Sequence, residues 1–259
     1  MITEEEVMKH LKDIKEVLDK NSIPFWLEDG TMLGAVRDGR MIPWDHDIDL
    51  GSFVTSFKDD KVKRNLAKQF NQKEFSVYFF PYSVSLHRDN FHTDIILLIS
   101  APNGRNFVIN RFLSQNKVSH LLVKLHKLSK ASFYGGPIIK SEAGTRDLLK
   151  TNFFFLMHSL PKIFRVGLYK TAKYLLSNYE VTKYYSLEVP AKHFKSLKTV
   201  KYGGHIVNIP DFPEEYLEKK YGDWRTPPKD PSKWKWYEVG EWPKIEKFLD
   251  RKKSSTYQI

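Results

Sequence analysis

The chain has 259 residues, 41% of them hydrophobic and 14% aromatic, with 42 Lys and Arg against 31 Asp and Glu for a formal net charge of +11. That is enough for one large domain, or a domain with a helical appendage, around an ordinary apolar core. The absence of cysteine excludes disulfides and Cys-ligated zinc, no apolar run is long enough to cross a membrane, and the acidic opening Met1-Ile2-Thr3-Glu4-Glu5-Glu6 has no apolar signal region, so the expected location is cytoplasmic, at most peripheral to a membrane.

Thr3 and Glu6 form a capping-box pattern ahead of a helix in which Val7, Leu11, Ile14 and Leu18 recur on one face, with Asn21 as its stop. Ile23 to Leu27 is predicted as a strand that delivers Glu28-Asp29-Gly30, acidic residues that either hold a ligand or solvate a loop. Gly30-Thr31 is read as a turn whose main-chain N–H groups, or a helix N-terminus behind it, can approach a phosphate. A short apolar helical run, Met32 to Val36, follows and contains Gly34. Arg37 is placed to pair with a phosphate or with Asp29, Asp38 or Asp45, and Trp44 to stack on a base or to pack.

In Asp45-His46-Asp47-Ile48-Asp49-Leu50 the two aspartates Asp47 and Asp49 lie two residues apart in a strand-like alternation. A strand places them on one face and sends Ile48 and Leu50 into a core. A solvated strand edge can look the same. Two carboxylates that close also suit a hard divalent cation with oxygen ligands, Mg²⁺ or Mn²⁺, usually in company with a phosphate.

Val62, Leu66 and Phe70 mark a lysine-rich surface helix, and Phe75 to Phe80, Val84 to Leu86 and Thr93 to Ile99 are predicted strands. Asp94 stands at the mouth of the last of these, where a carboxylate is costly without a partner, and His92 shares its face. If this strand lies beside that of Asp49, three carboxylates converge. Pro102-Asn103-Gly104-Arg105 reads as a hairpin turn with Phe107 to Ile109 returning, and a helix runs from Val118 to Leu128. Gly135-Gly136-Pro137 reads as a loop, and Thr145 to Asn178 as mostly helical with a break at Pro161.

The positive charge is local: Arg111 to His205 holds 17 Lys and Arg against 4 Asp and Glu, +13, and the remainder is near −2. Such a surface attracts a nucleotide, an anionic glycan precursor, a membrane or nucleic acid, or is simply well solvated. On a helical wheel Lys162, Arg165, Lys170 and Lys173 oppose Phe164, Leu168, Ala172 and Leu175, a pattern that caps a core or lies on an anionic membrane. Tyr202 to His205 is a turn before a strand at Ile206 to Ile209, and a helix from Pro213 ends at Tyr221 with Gly222 as its C′ residue. Trp224, Trp234, Trp236 and Trp242 crowd the tail, to pack or to hold a sugar or base.

Gly30-Thr31-Met32-Leu33-Gly34-Ala35-Val36-Arg37, then Ile42-Pro43-Trp44-Asp45-His46-Asp47-Ile48-Asp49-Leu50, with Pro213-Glu214-Glu215-Tyr216-Leu217-Glu218-Lys219-Lys220-Tyr221-Gly222-Asp223-Trp224 near the end, resembles the LicD/fukutin-related family of the nucleotidyltransferase-fold superfamily. The resemblance implies an α/β (α+β) nucleotidyltransferase fold, a small mixed sheet with flanking helices in residues 1–110. A mainly helical basic region, 111–259, would pack on it as one unit. It implies a metal-dependent transferase that moves a phosphorylated alcohol, such as phosphocholine or ribitol phosphate, from a CDP-linked donor to a hydroxyl of a glycan or lipid-linked glycan. Asp47, Asp49 and Asp94 would be catalytic and bind Mg²⁺ or Mn²⁺; Gly30, Thr31, Gly34, Arg37, Trp44 and His92 would hold the donor. His46 departs from the acidic residue many members carry there, and is assigned no metal. Two alternatives remain at this level: transfer of a nucleotidyl group from a nucleoside triphosphate, and non-catalytic polyanion binding. A specific nucleic-acid partner is not expected.

Overall fold

The structure, a computed structural model, describes residues 3–45, 47–80, 82–89, 91–101, 103–114, 116–130, 132–133, 156, 159–178, 182–231, 234–242 and 244–245. His46, the loop at Gly135 to Pro137, the stretch 145–155 and the terminal residues from Arg251 lie outside the described residues.

Helix α1 (Glu4–Lys20) starts on the expected capping box: the Glu6 N–H donates to the Thr3 hydroxyl at 3.2 Å and the Thr3 N–H to the Glu6 carboxylate at 2.7 Å. Its apolar stripe, Val7, Leu11, Ile14 and Leu18, is buried, and Asn21 closes it by donating from its side chain to the Val17 carbonyl at 2.7 Å. His10 lies buried on the same stripe, its ring centroid 5.8 Å from that of Phe75 and 5.0 Å from that of Phe91.

Burial, then the charge of Arg88, push the His10 imidazole down to about 4. Between pH 6.5 and that value the unfolded chain binds a proton that the folded chain refuses. Stability therefore falls as pH drops through this window and levels off below it, by about 3 kcal/mol at most. Urea midpoints at pH 7.5 and 4.5 are expected to differ less in His10→Leu than in the parent protein. An equal loss in both would place the acid sensitivity elsewhere.

The fold is a mixed α+β one, with a twisted sheet and helices against it. At its centre β2 (Ile48–Phe53) runs parallel to β5 (Phe91–Ser100) and antiparallel to β1 (Phe25–Leu27). On its other side β5 pairs with β4 (Ser83–Arg88), which pairs with β3 (Ser76–Phe79), with β7 (Ser132–Phe133) at that edge. The last residues of β5 pair instead with β6 (Asn106–Ser114), and β8 (Thr182–Pro190) and β11 (Lys244–Ile245) extend the sheet. The parallel β2–β5 pair needs a crossover, and helix α3 (Asp60–Gln72) with the β3–β4 hairpin supplies it. Ile95, Ile96, Leu97 and Leu98 are all buried, as expected of a central strand covered on both faces.

Helix α2 (Asp29–Arg37) links β1 to the loop before β2. Helices α4 (Lys117–Lys130) and α5 (Lys162–Asn178) follow, then a separate hairpin of β9 (Lys198–Tyr202) and β10 (His205–Ile209), then α6 (Pro213–Tyr221) and the short α7 (Trp236–Val239). The Asn208 side chain donates to the Phe25 carbonyl at 3.2 Å and ties the hairpin to β1. Residue 110 falls inside β6, and the described part of 111–259 holds strands β8 to β11 as well as helices, so the sheet continues across that division. Among the described residues no helix is long and apolar enough to cross a membrane.

Candidate active site

The parallel register sets Asp49 directly beside Asp94, with Ile48 beside Thr93 and Leu50 beside Ile95. Ile48 and Leu50 are fully buried, so alternation leaves the two carboxylates on the other face, with Asp47 at the same parity just before β2. Both main-chain groups of Asp49 are tied to the segment that opens α2. Its N–H donates to the Thr31 hydroxyl at 2.9 Å, and its carbonyl accepts from the Glu28 N–H at 3.0 Å. Thr31 is buried inside α2, where the sequence reading expected a turn, and its hydroxyl meets the strand that carries Asp49.

Burial, then the charges of Asp47, Asp94 and Asp45, push the Asp49 carboxyl well above the usual carboxylate range, and Lys220 opposes them. The Ser85 hydroxyl donates a short hydrogen bond to Asp94 Oδ1 from the neighbouring β4. His92 Nε2 lies 3.3 Å from Asp47 Oδ2, and its hydrogen bond to Asp47 lifts the imidazole above its ordinary value. Among the described residues no three His, Asp or Glu side chains already converge as a metal cluster. The oxygen-only donors and their mutual repulsion suit a hard cation such as Mg²⁺ or Mn²⁺ in kind.

The two glycines of α2 are explained by close approach. A Cβ on Gly30 would fall 2.4 Å from an Asp45 carboxylate oxygen, and one on Gly34 would fall 2.6 Å from the Arg40 carbonyl oxygen. Gly34 thus lets the Arg40–Ile42 backbone cross over the helix, while Gly30 lines a cavity of about 500 Å³. Arg37 also lines this cavity, its guanidinium paired with Asp38 by bonds of 2.9 and 2.8 Å. The exposed Trp44 stands at the same wall with Asp29, Asp45 and Asp49. The facing wall comes from the other end of the chain: Tyr221, Asp223, Trp224, Trp234 and Trp242.

What joins the two walls is a buried ionic network that sequence reasoning did not find. Lys220 and Glu28 are both fully buried, and the Lys220 ammonium pairs with the carboxylates of Glu28 and Asp29. Glu28 also accepts from Trp26 Nε1 at 2.7 Å and from the Tyr216 hydroxyl at 2.9 and 3.0 Å. Trp242 Nε1 donates to the Lys220 carbonyl at 2.9 Å. Asp29, beside this cluster, takes a left-handed backbone with φ of 44°, uncommon for a residue other than glycine. One signal was available: Lys220 falls on the stripe of Tyr216, Leu217 and Tyr221, the inward face of α6.

Residues 22–135 match the family model described as LicD/FKTN/FKRP, nucleotidyltransferase domain. The chain is 28% identical over 178 residues to an uncharacterized protein of Rickettsia prowazekii, 64% of either chain. It is 50% identical over 38 residues to the ribitol 5-phosphate transferase FKRP of Mus musculus, 15% of this chain and 8% of that one. It is 40% identical over 64 residues to the ribitol-5-phosphate transferase FKTN of Macaca fascicularis, 22% of this chain and 14% of that one. The chain thus spans less than two thirds of the length of the relatives it matches.

Proposed function

We propose that this chain, whose residues 22–135 match the LicD/FKTN/FKRP family model, is a metal-dependent transferase. It moves a phosphorylated alcohol (phosphocholine, ribitol phosphate or a similar group) from a CDP-linked donor to a hydroxyl of a glycan or lipid-linked glycan. The observation that carries this reading is the register of Asp49 with Asp94 beside a cavity whose second wall is the Tyr221-Gly222-Asp223-Trp224 segment. The names of FKRP and FKTN, both ribitol 5-phosphate transferases, support an alcohol phosphate as the group transferred. Because the cavity takes walls from both ends of the chain, residues 1–110 and 111–259 act as one catalytic unit.

In this reading the N-terminus of α2, at Gly30, presents main-chain N–H groups to the donor diphosphate. Arg37, steadied by Asp38, adds positive charge to the same wall, and Trp44 offers an indole face for the base. Asp47, Asp49 and Asp94 would hold Mg²⁺ or Mn²⁺, which would neutralise the diphosphate. His92 orients Asp47. Asp94 Oδ1 is occupied by the Ser85 hydroxyl, and Oδ2 takes the proton of the acceptor hydroxyl. The acceptor oxygen bonds to the phosphorus distal to the nucleoside, the phosphoanhydride bond breaks, and CMP leaves. Trp224, Trp234 and Trp242 exclude the water that would otherwise compete.

Thermal melts with CDP-choline, CDP-ribitol, CDP-glycerol, CTP and ATP, each with and without Mg²⁺, test the assignment. One CDP-alcohol at about a hundred times its Kd is expected to raise Tm by several degrees, and only with Mg²⁺. A shift with CTP or ATP and none with any CDP-alcohol would replace this reading with nucleotidyl transfer.

A further inference from the structure

We infer that the paired helices α4 and α5 form a docking face for an anionic lipid surface. The helices pack on one another, with the His126 ring stacked on Tyr169 at a centroid distance of 4.8 Å. Together they hold eight Lys and Arg and no Asp or Glu, whereas α1 mixes both signs along its length. Large apolar side chains stand in solvent on this cationic pair: Val118 is 62% exposed, Ile163 77% and Phe164 63%, and Leu121 and Val166 are exposed too. The helical wheel had grouped Phe164 with Ala172 on a packing face. The structure buries Ala172 and turns Phe164 out, so core packing does not account for that side chain.

The chemistry selects among partners. A surface of aliphatic and aromatic side chains flanked by exposed Lys117, Lys162 and Lys170 matches the boundary between acyl chains and anionic headgroups. Nucleic acid would take the positive charge but has no use for exposed Val118, Ile163 and Val166, which cannot stack on bases as aromatic rings do. A second copy of this chain, meeting face to face, would set the exposed Lys117, Lys162 and Lys170 against the same three cations of its partner. The inference rests on this surface alone and does not depend on the chemistry proposed for the cavity.

The test is co-sedimentation of the purified chain with phosphatidylcholine vesicles, with or without phosphatidylglycerol, at low and high salt. The protein is expected to pellet with the anionic vesicles at low salt, to be released by salt, and to stay in the supernatant with phosphatidylcholine alone. The double variant Ile163→Asp/Phe164→Asp is expected to lose about tenfold in partitioning, because each change adds a negative charge and removes an inserted side chain. Lys162→Glu/Lys170→Glu is expected to do the same, with Tm unchanged in both because all four positions are exposed. Absence of pelleting with anionic vesicles, or pelleting of both variants as complete as that of the parent protein, would overturn the inference. So would a dimer in light scattering that dissociates in the aspartate variant while vesicle binding is absent, since that would assign the face to a second copy.

Discussion

Asp49→Asn is expected to lower turnover by roughly a thousand-fold while leaving the protein no less stable. The asparagine keeps the shape of the side chain and both main-chain bonds, the N–H to Thr31 and the carbonyl from Glu28, so the strand stays in place. What it removes is one negative charge from a buried spot already facing Asp47, Asp94 and Asp45. The same repulsion that makes the site suited to a cation is a strain on the protein without one, so Tm should hold or rise by a few degrees. Turnover and melting temperature measured on the same preparation decide the matter. A folded variant with nearly normal turnover would remove Asp49 from the chemistry.

Lys220→Met is expected to cost about 3–5 kcal/mol of folding stability, a large share of the total for a domain. Methionine fills similar volume and leaves Glu28, fully buried, without its cation, although Trp26 and Tyr216 still donate to it. The double variant Lys220→Met/Glu28→Gln should recover part of the loss, because the neutral amide no longer needs a buried counter-charge and can still accept both hydrogen bonds. Urea unfolding of the parent, the two single variants and the double variant gives the coupling directly. A loss below about 1 kcal/mol in Lys220→Met would contradict the burial of this pair. Since Asp29 lines the cavity and shares the Lys220 ammonium, donor binding should weaken in the same variant.

These two residues show how differently parts of the site could be read. Asp49 was visible because the strand period of two is local: Ile48 and Leu50 declare the core face, and the aspartates must take the other. Lys220 was not, because a lysine between Lys219 and Tyr221 looks like helix surface until its partners arrive. Those partners, Glu28 and Asp29, sit at the opposite end of the chain. Glu28 had been weighed as a loop carboxylate and is instead fully buried at the N-cap of α2. Strands β8 and β9 were also missed, since Lys183, Glu188, Lys198 and Lys201 interrupt any clear alternation, and β8 owes its place to pairing with β6.

Local pattern thus determined the capping box and stripe of α1, the apolar run of α2, the face on which Asp47 and Asp49 lie, and the stop of α6 at Gly222. Each depends on residues within a few positions of one another, so period, cap and turn chemistry suffice. Tertiary structure decided the remainder. Asp94 reaches Asp49 only because β5 lies parallel to β2 in that register. The cavity has a second wall only because α6 is drawn against α2 by Lys220. The physical reason is that burying a charge, or setting carboxylates side by side, is unfavourable for any short segment alone. It becomes acceptable when the fold supplies a counter-charge or a neighbouring strand from far along the chain.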